Sequence, residues 1–263
     1  MFVELRGSSE TTREILNDFN DFFVYWFVGF TEGDGSFIVN KSGYLEFKVT
    51  QSSSDAQVLF YIKKNLGFGQ VRIQDKKNNT HHFRVRDKQG LLKLINIFNG
   101  RLLLFKRQVQ FMRWVWAYNK LYSTGIVIRN CSLNCVTLNN AWLCGFTDAE
   151  GCFNISLVER NINYTQVFIR FMLSQQGEEV VLSSFSRILN GKLHYLKSYD
   201  GFNLVVNLSN LDNVICYFKK YNLKTKKRLV FLRWLKVYYL VKKKRHINNP
   251  FILAKIRQIM NKI

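Results

Sequence analysis

The sequence predicts an α+β protein that contains two copies of one domain. The prediction rests on an internal repeat with an offset of about 120 residues, on strands whose apolar and polar residues alternate, and on amphipathic helices beside those strands. The chain has 263 residues, enough for two domains of ordinary size, and 47% of them are hydrophobic. A folded protein with a substantial core is therefore expected, and global disorder is excluded.

Two pairs of segments carry the repeat. The stretch "FVGFTEGDGSF" has a second version, "LCGFTDAEGCF", and their alignment places Asp34 opposite Glu150. Further along, "FKRQVQFMRW", which begins at Phe105, matches "TKKRLVFLRW", which begins at Thr225. A repeat of this length indicates two copies of a domain and not a solenoid of short units. We expect an N-terminal domain over residues 1–122, a linker over 123–138, and a C-terminal domain with a basic tail over 139–263.

Each copy begins with a helix and continues with alternating strands. In the first copy Asn20 or Asp21 can cap a helix that runs to Asp34, and Asn139 or Asn140 can cap its counterpart. The strands that follow are read from "YLEFKVTQ", "QVRIQ" and "HFRVR" and from similar stretches of the second copy. The remaining helices are predicted in "SDAQVLFYIKKNL", "RQVQFMRWVWAYNKLY", "EEVVLSSFSRIL", "KRLVFLRWLKVYYLVKKK" and "PFILAKIRQIMNKI". We expect Trp114, Trp116 and Trp234 to lie in the core.

The charge of the chain points to a polyanionic partner. Lys and Arg number 39 against 18 Asp and Glu, which gives a formal net charge of +21. Nucleic acid is the first candidate and an anionic membrane surface the second. No apolar run is long enough to cross a membrane, no secretory signal is recognisable, and a soluble protein is expected. The five cysteines form no CxxC pair, so free thiols are favoured over a zinc site.

The polar faces of the predicted strands carry side chains that hydrogen-bond to bases and hold phosphates. Any antiparallel sheet has a wet side, but two such faces in a chain of this charge favour a nucleic-acid-binding sheet. The candidate DNA-binding residues are Asn40, Lys48, Gln70, Arg72, Gln74, His82, Arg84, Arg86, Asn154, Ser156, Arg160, Gln166, Arg170, Lys192, His194, Asn203 and Asn207.

The glycines of the two repeated helices indicate close helix packing. Glycine inside a helix lowers the stability of the helix by up to about 1 kcal/mol relative to alanine, so we expect a favourable contact that offsets this loss. Small residues four apart lie on one face of each helix and let two backbones approach. The predicted interface residues are Gly29, Gly33, Gly145 and Ala149. Gly35 and Gly151 follow the helices, where a left-handed C-terminal cap is expected.

The acids of the repeated motif point to a metal site. At about 100° per residue, Glu32 and Asp34 lie about 200° apart and cannot serve the same site. Asp34 and Glu150 end their helices, where the helix dipole favours a cation. Carboxylates at equivalent positions of both copies therefore indicate a bound divalent metal. If the two helices pack in parallel, the two carboxylates meet. Oxygen ligands suit Mg²⁺, and bound Mg²⁺ beside a basic sheet is typical of phosphodiester hydrolysis. By the same angular argument Glu32 and Asp148 are expected to make interface or sheet hydrogen bonds.

The motifs "FVGFTEGDG" and "LCGFTDAEG" resemble the two signature motifs of the single-chain LAGLIDADG homing endonucleases. The resemblance extends over nearly the whole chain. It implies a pseudo-twofold pair of αββαββα domains whose antiparallel sheets form a DNA-binding saddle. It also implies a protein that is a monomer with an internal pseudo-dimer.

The resemblance also implies roles for individual residues. The last acid of each motif, Asp34 or Glu150, is the expected catalytic metal ligand, helped by the backbone carbonyl of the preceding residue. Those preceding residues are Gly33 and Ala149. A polar residue at the end of an early strand and a basic residue before the last long helix complete the family's site. They correspond to Gln51, Gln175, Lys106 and Lys226.

The predicted function is site-specific cleavage of double-stranded DNA at a long asymmetric target, leaving 5′ phosphate and 3′ hydroxyl ends. Mg²⁺ is the expected cofactor, with Mn²⁺ as a substitute and Ca²⁺ supporting binding without cleavage. The alternative is an RNA maturase that binds its host intron RNA, with or without cleavage. A DNA-binding regulator is a third reading. Family habit implies an organelle gene and a mitochondrial location.

Overall fold

The computed structural model describes residues 20–129, 136–161 and 164–263. The central part of the predicted linker, residues 130–135, lies outside the described residues. The chain divides into two compact units: the first takes the described residues up to 129 together with Asn140–Gly145, and the second takes Val136–Asn139 and Phe146–Ile263. The domain boundaries inferred from the sequence stay a prediction.

The first unit follows the predicted order of helix, hairpin, helix and hairpin, but it ends with two helices. Its elements are α1 (Asp21–Asp34), β1 (Gly35–Val39), β2 (Leu45–Ser52), α2 (Ala56–Leu66), β3 (Gln70–Asp75), β4 (Thr80–Val85), α3 (Lys88–Phe98) and α4 (Phe105–Tyr122). The sequence analysis did not predict α3 as a separate helix. It is held at its start by Asp87, whose side chain accepts a hydrogen bond from the backbone N–H of Gly90.

The sheet of the first unit is antiparallel, with the strand order β1-β2-β4-β3. The alternation predicted for β2 is present: Leu45, Phe47 and Val49 are at most 3% exposed, whereas the residues between them are partly exposed. The rings of Phe27 and Phe98 pack on Phe47 at centroid distances of 5.8 and 5.5 Å. Aromatic packing of this kind fixes the helices on one face of the sheet and leaves the other face polar.

The second unit repeats the same order. Its elements are α5 (Trp142–Glu150), of which the residues up to Gly145 are grouped with the first unit, β5 (Cys152–Asn161), β6 (Tyr164–Gln176), α6 (Glu179–Ile188), β7 (Lys192–Leu196), β8 (Gly201–Asn207), α7 (Leu211–Lys220), α8 (Lys227–Lys242) and α9 (Pro250–Met260). The sheet order is β5-β6-β8-β7, so the topology of the first sheet recurs. Phe153 packs against Phe171, Phe218 and Trp234 with ring centroids 5.2 to 5.5 Å apart. The helix α7 was not predicted.

The expectation of a left-handed cap after the first motif helix is wrong. Gly35 has φ −82° and ψ 158°, which is extended backbone, because the chain passes directly from α1 into β1. A Cβ at Gly35 would lie 2.4 Å from Cγ2 of Thr31, and a Cβ at Gly151 would lie 2.5 Å from Cγ2 of Thr147. Gly151 is also absent from the positive-φ residues of the described chain. Both glycines are therefore required by steric crowding at the helix-to-strand junction and not by backbone handedness.

The core prediction holds for two of the three tryptophans. Trp114 and Trp234 are fully buried, whereas Trp116 is 68% exposed. Trp116 follows Trp114 by two residues, and a step of two residues turns a helix by about 200°, so the two side chains point to opposite sides. Within the described ranges, none of the helices combines the length and the apolar composition that a bilayer crossing demands.

Candidate catalytic centres and nucleic-acid interface

The clearest candidate centre lies where α1 of the first unit ends. Asp34 is the last residue of α1 and is half-buried. The side-chain amide of Gln51, near the end of β2, donates a hydrogen bond of 2.5 Å from Nε2 to Oδ2 of Asp34. Two residues singled out from the sequence are thus brought together, because α1 and β2 finish at the same edge of the unit.

A cation of the protein itself occupies the carbonyls at the end of α1. The guanidinium group of Arg107 donates from Nε to the carbonyl oxygen of Glu32 at 2.8 Å and from Nη2 to that of Gly33 at 2.6 Å. Helix C-termini favour positive charge because their last carbonyls are unsatisfied and lie at the negative end of the dipole. Lys106, the basic residue implied by the family resemblance, is the exposed residue immediately before Arg107.

The second unit makes the equivalent arrangement with a lysine. Nζ of Lys227 donates to the carbonyl oxygens of Thr147 at 3.0 Å and Ala149 at 2.7 Å. Lys226 precedes it and is exposed. Arg107 and Lys227 were not predicted from the sequence, although both copies carry a basic pair at this point, "KR" in one and "KK" in the other.

The two candidate centres differ in how their acids are held. Glu150 ends α5 and is exposed, whereas Asp34 is half-buried. Gln175 is half-buried in β6, opposite Phe202 on β8. Among the hydrogen bonds of the described residues, none joins Gln175 to Glu150. The structure thus brings Gln51 to its acid and leaves Gln175 apart from the corresponding one.

The first acid of each motif holds the start of the helix that carries the basic residue. Glu32 is 2% exposed, and its Oε1 accepts from the backbone N–H groups of Leu103 and Leu104 at 2.8 and 2.6 Å. Its Oε2 accepts from Nε1 of Trp142 at 2.5 Å. These bonds satisfy N–H groups beside the beginning of α4, where negative charge is favourable. Glu32 therefore bonds both to Trp142 on α5 and to the start of α4, and the helix-start contact was not expected from the sequence.

Asp148 plays the same part in the second unit. It is 4% exposed. One carboxylate oxygen accepts from the backbone N–H of Lys224 at 2.8 Å, and the other accepts from the backbone N–H and the hydroxyl of Thr225 at 3.0 and 2.6 Å. Because Thr225 precedes α8, this clamp positions the turn that leads to Lys227. The first acid of each motif therefore bonds to the backbone at the start of the last long helix.

One predicted helix-interface residue makes a backbone contact. A Cβ placed on Gly145 would lie 1.8 Å from the carbonyl oxygen of Trp26 and 2.8 Å from the backbone nitrogen of Phe30. Gly145 thus packs directly on the backbone of α1, beside the stretch that contains Gly29. Any larger residue at position 145 would force the two helices apart. The other two predicted positions, Gly33 and Ala149, are half-buried at the ends of their helices, with their carbonyls bonded as described above.

The polar face of the first sheet gathers basic and amide side chains into cross-strand rows. In one row Lys48, Arg84 and Gln70 are register partners across β2, β4 and β3. In the next row His82 lies between Thr50 and Arg72. Two further candidates, Gln74 and Arg86, bond within the sheet, the former to Oγ1 of Thr50 at 2.9 Å and the latter to Glu46 at 2.5 Å. Asn40 lies just after β1 and accepts from the backbone N–H of Tyr44 at 2.7 Å.

His82 is unusual among these residues. Both of its ring nitrogens are buried, and neither has a hydrogen-bond partner among the described residues. Burial lowers the pKa of His82 below its ordinary value of 6.5, and the nearby charges of Arg84 and Lys48 lower it further. Near neutral pH the ring is therefore neutral, with one donor and one acceptor.

The polar face of the second sheet has the same character with different residues. Arg170 lies between Asn154 and Asn207 across three strands, and Asn203 lies between Ser174 and His194. Other candidates of this face bond to each other: Nη2 of Arg170 donates to the hydroxyl of Ser156 at 2.6 Å, and Nε of Arg160 donates to Gln166 at 2.9 Å. Lys192 lies on the edge strand β7, where its register partner on β8 is Val205. The two faces thus present different side chains at equivalent positions.

The donor set was tested against a divalent cation. The described residues contain no cluster of three or more His, Cys, Asp or Glu side chains of the kind that encloses a metal. Each unit offers one carboxylate beside helix-end carbonyls, and all of these are hard oxygen donors. Such a sparse set fits Mg²⁺, which keeps several waters and takes one or two carboxylates together with substrate phosphates.

The fold and the site define an α+β protein with two repeated helices that each end in an acid. The chain belongs to the LAGLIDADG endonuclease family, whose model matches residues 27–118 and 143–238. The family resemblance stated from the sequence is thereby confirmed, and so is the α+β fold class.

Two curated relatives show the range of this family. The chain is 49% identical over 260 residues to "Probable intron-encoded endonuclease 4" of Neurospora crassa, covering 98% of this chain and 47% of the relative. It is 27% identical over 207 residues to "Intron-encoded RNA maturase bI4" of Saccharomyces cerevisiae, covering 78% of this chain and 30% of the relative. The chain thus spans half or less of the length of these two proteins.

Solved structures share the fold. The I-LtrWI LAGLIDADG homing endonuclease bound to target DNA has a TM-score of 0.79 and 21% identity, over 92% of this chain and 97% of that one. I-SmaMI, bound to an uncleaved DNA target in the presence of calcium ions, has a TM-score of 0.72 and 20% identity, over 91% and 98%. At these identities the likeness concerns the fold alone.

Proposed function

We propose that the protein is a site-specific DNA endonuclease that hydrolyses both strands of a long asymmetric target and leaves 5′ phosphate and 3′ hydroxyl ends. The observation that carries the proposal is the contact of Gln51 with Asp34 at the end of α1, beside Arg107 on the last carbonyls of the same helix. A carboxylate held in this way next to a basic sheet fits phosphodiester hydrolysis. The repetition of the helix-end arrangement in the second unit supports a second centre.

Each residue of the centre has a separate role. Asp34 and Glu150 would hold Mg²⁺. The carbonyl oxygens of Gly33 and Ala149 already accept from Arg107 and Lys227, so each would use its second lone pair as a further donor to the metal. When bound, Mg²⁺ lowers the pKa of water and stabilises a leaving oxygen. Gln51 fixes the rotamer of the Asp34 carboxylate, because its side-chain amide donates a hydrogen bond to Oδ2. Mn²⁺ is expected to substitute, and Ca²⁺ to support binding without cleavage.

The other residues of the centres act on phosphates and on geometry. Lys106 and Lys226 are exposed at the starts of the last long helices, where their ammonium groups can neutralise a phosphate. Gln175 would act on a bound water in the second centre. Arg107 and Lys227 keep the helix-end carbonyls in place, so we assign them as positioning residues and not as substrate-contacting ones.

The two polar sheet faces would read the DNA target. Their Arg, Lys, Asn and Gln side chains are the types that bond to base edges in the major groove. The buried, unpartnered nitrogens of His82 and Nε of Arg170 are polar groups for which DNA can supply partners. The two faces differ in sequence, so an asymmetric target is expected.

The remaining assignments rest on the family. We propose domains over residues 1–122 and 139–263 with a linker over 123–138, a single-chain pseudo-dimer and a mitochondrial location. The relatives named as intron-encoded support an intron-encoded protein.

A second candidate function is RNA binding in the manner of a maturase. It is favoured by the likeness to the yeast RNA maturase. It is also favoured by the helices α7, α8 and α9, which carry more Lys and Arg residues than the sheet of the same unit does. A DNA-binding regulator has no observation in its favour.

Selection of cleavable sequences from a randomised duplex library tests the proposed endonuclease. With Mg²⁺ we expect a single family of long, asymmetric sites to be cut, and with Ca²⁺ the same family to be retained uncut. Absence of cleaved duplex with Mg²⁺ and with Mn²⁺ would contradict the endonuclease and leave the RNA-binding candidate.

A further inference from the structure

The helices of the second unit carry a large excess of positive charge. Between Leu211 and Ile263 the chain has fifteen Lys and Arg residues and one acid, Asp212. That acid is already neutralised: Nζ of Lys242 donates to its two oxygens at 2.6 and 2.7 Å, and the hydroxyl of Tyr238 donates to Oδ1 at 2.5 Å. The other cations of this segment therefore meet no free carboxylate within it.

Four of these cations lie on, or at the end of, the two helices that flank one exposed aromatic ring. We name this surface the Tyr239 patch and define it as Lys219, Lys220, Lys236, Tyr239 and Lys243. Tyr239 is 42% exposed, and all four lysines are exposed. Lys219 and Lys220 end α7, and Nζ of Lys219 donates to the hydroxyl oxygen of Tyr239 at 3.1 Å. Lys236 and Lys243 lie three residues before and four residues after Tyr239, so they share its side of the helix.

The aromatic ring of the patch is held in place. Its neighbour Tyr238 is 1% exposed and packs edge-on against it, with the ring centroids 5.3 Å apart. The Lys219 bond uses one lone pair of the Tyr239 hydroxyl and leaves its proton available to an acceptor. The same bond raises the pKa of Lys219 above its ordinary value. Nζ of Lys219 also lies 5.8 Å from the centroid of the Tyr239 ring, whereas Nζ of Lys220 lies over the neighbouring ring of Tyr221. The patch is therefore a held ring with one lysine over it and three more exposed lysines on, or at the end of, the same two helices.

The internal repeat shows that the fold does not require this surface. Trp234 and its counterpart Trp114 are both fully buried, which sets the correspondence between α8 and α4. By that correspondence Asn119 stands where Tyr239 stands, and Trp116 where Lys236 stands. The side chain of Asn119 turns into a local loop, where it donates to the carbonyl of Ile126 at 2.9 Å. The patch is a feature of the second unit alone.

We propose that the Tyr239 patch binds RNA, with an unpaired base stacked on the Tyr239 ring and the flanking phosphates on the four lysines. Stacking on an aromatic side chain needs a base that is free of the helix, which folded RNA offers in loops and bulges and duplex DNA does not. Lysines without neighbouring amide side chains bind phosphates without reading sequence. The inference does not depend on DNA cleavage. It rests on the second candidate function, RNA binding, and names the surface on which the RNA would bind.

Fluorescence anisotropy with a labelled RNA stem–loop tests the proposal, with the fully paired RNA duplex of the same length as the comparison. The triple substitution Lys220→Gln, Lys236→Gln and Lys243→Gln should weaken stem–loop binding about tenfold or more and lower the slope of log K against log salt by about 2. Tyr239→Leu should weaken stem–loop binding about fivefold or more and leave the paired duplex unchanged. Tyr239→Phe, which keeps the ring, should retain most of the affinity.

A matched triple substitution, Lys63→Gln, Lys64→Gln and Lys120→Gln, removes the same charge from exposed positions of the first unit. Equal loss of RNA binding in this control, or an unchanged affinity of Tyr239→Leu, would overturn the proposal. Binding to phosphatidylserine vesicles without RNA binding would also overturn it. Thermal unfolding verifies that each variant is folded. Asp34→Asn should bind the stem–loop like the unsubstituted protein, so failure of RNA binding and failure of DNA cleavage are separately visible.

Discussion

Nε2 of Gln51 and Oδ2 of Asp34 lie 2.5 Å apart, so the side chain that ends one strand fixes the acid that ends the first motif helix. The second unit has no equivalent bond between Gln175 and Glu150 among its described contacts. One predicted pair of residues is thus joined and the other is not. The two centres are therefore expected to respond differently to the loss of their glutamines.

Gln51→Ala should slow DNA cleavage about tenfold to a hundredfold, because residues that orient a ligand carboxylate carry effects of this size. DNA affinity in Ca²⁺ should change little, since the sheet residues remain. Single-turnover cleavage of a target duplex measures the effect. Gln175→Ala is the matched control, with a smaller expected change. An equal or larger effect of Gln175→Ala would contradict the asymmetry.

Arg107→Met should lower the free energy of unfolding by about 1 kcal/mol, because the carbonyls of Glu32 and Gly33 lose a charged donor in a half-buried position. Urea denaturation followed by circular dichroism measures the change. Arg113→Met, at an exposed position of the same helix, is the control and should be close to neutral. A stability of Arg107→Met equal to that of the control would show that the capping bonds contribute nothing.

Gly145→Ala should destabilise the protein by about 3 kcal/mol or more, because its Cβ would overlap the carbonyl oxygen of Trp26. Chemical denaturation, or the yield of folded protein, reports the loss. Gly125→Ala is the matched control, since a Cβ there meets no atom within 4 Å. If Gly145→Ala were as stable as Gly125→Ala, the close approach of the two helix backbones would be wrong.

His82 should make the protein less stable in mild acid. Because burial and the nearby cations lower its pKa in the folded state, the unfolded chain binds the proton more readily, and stability is lost as the pH falls below about 6.5. His82→Gln removes this titration. As the pH is lowered from 7.5 to about 5, the melting temperature of His82→Gln should therefore fall less than that of the unsubstituted protein. His194→Gln is the control on the other sheet. A pH-independent difference between His82→Gln and the unsubstituted protein would contradict the assignment.

The sequence was sufficient for the features that depend on periodicity and repetition. The two-residue alternation of Leu45, Phe47 and Val49 identified the buried face of β2, and the helical angle separated Glu32 from Asp34. The order of the elements followed from the same patterns, apart from α3 and α7. The signal for α7 was present but not used, because Leu211, Val214, Ile215 and Phe218 recur at helical spacing and are buried.

Other features depend on contacts that a one-dimensional pattern does not contain. The choice between Lys106 and Arg107 is a rotation of about 100° on a helix whose direction only packing fixes. Gly35 was assigned the wrong conformation, because the crowding by Thr31 arises where helix and strand join without a loop. The bond between Gln51 and Asp34 is long-range, so the sequence alone could not distinguish this pair from Gln175 and Glu150.

The central claim is that Asp34 and Glu150 carry the chemistry and not the binding. The most direct test compares the Asp34→Asn and Glu150→Gln double variant with the unsubstituted protein on the selected target duplex, with Ca²⁺ for binding and Mg²⁺ for cleavage. We expect DNA affinity within about threefold of the unsubstituted protein and no double-strand break, since the sheet contacts persist and the metal ligands are lost. Cleavage that survives the double substitution, or loss of binding with cleavage intact, would contradict the account.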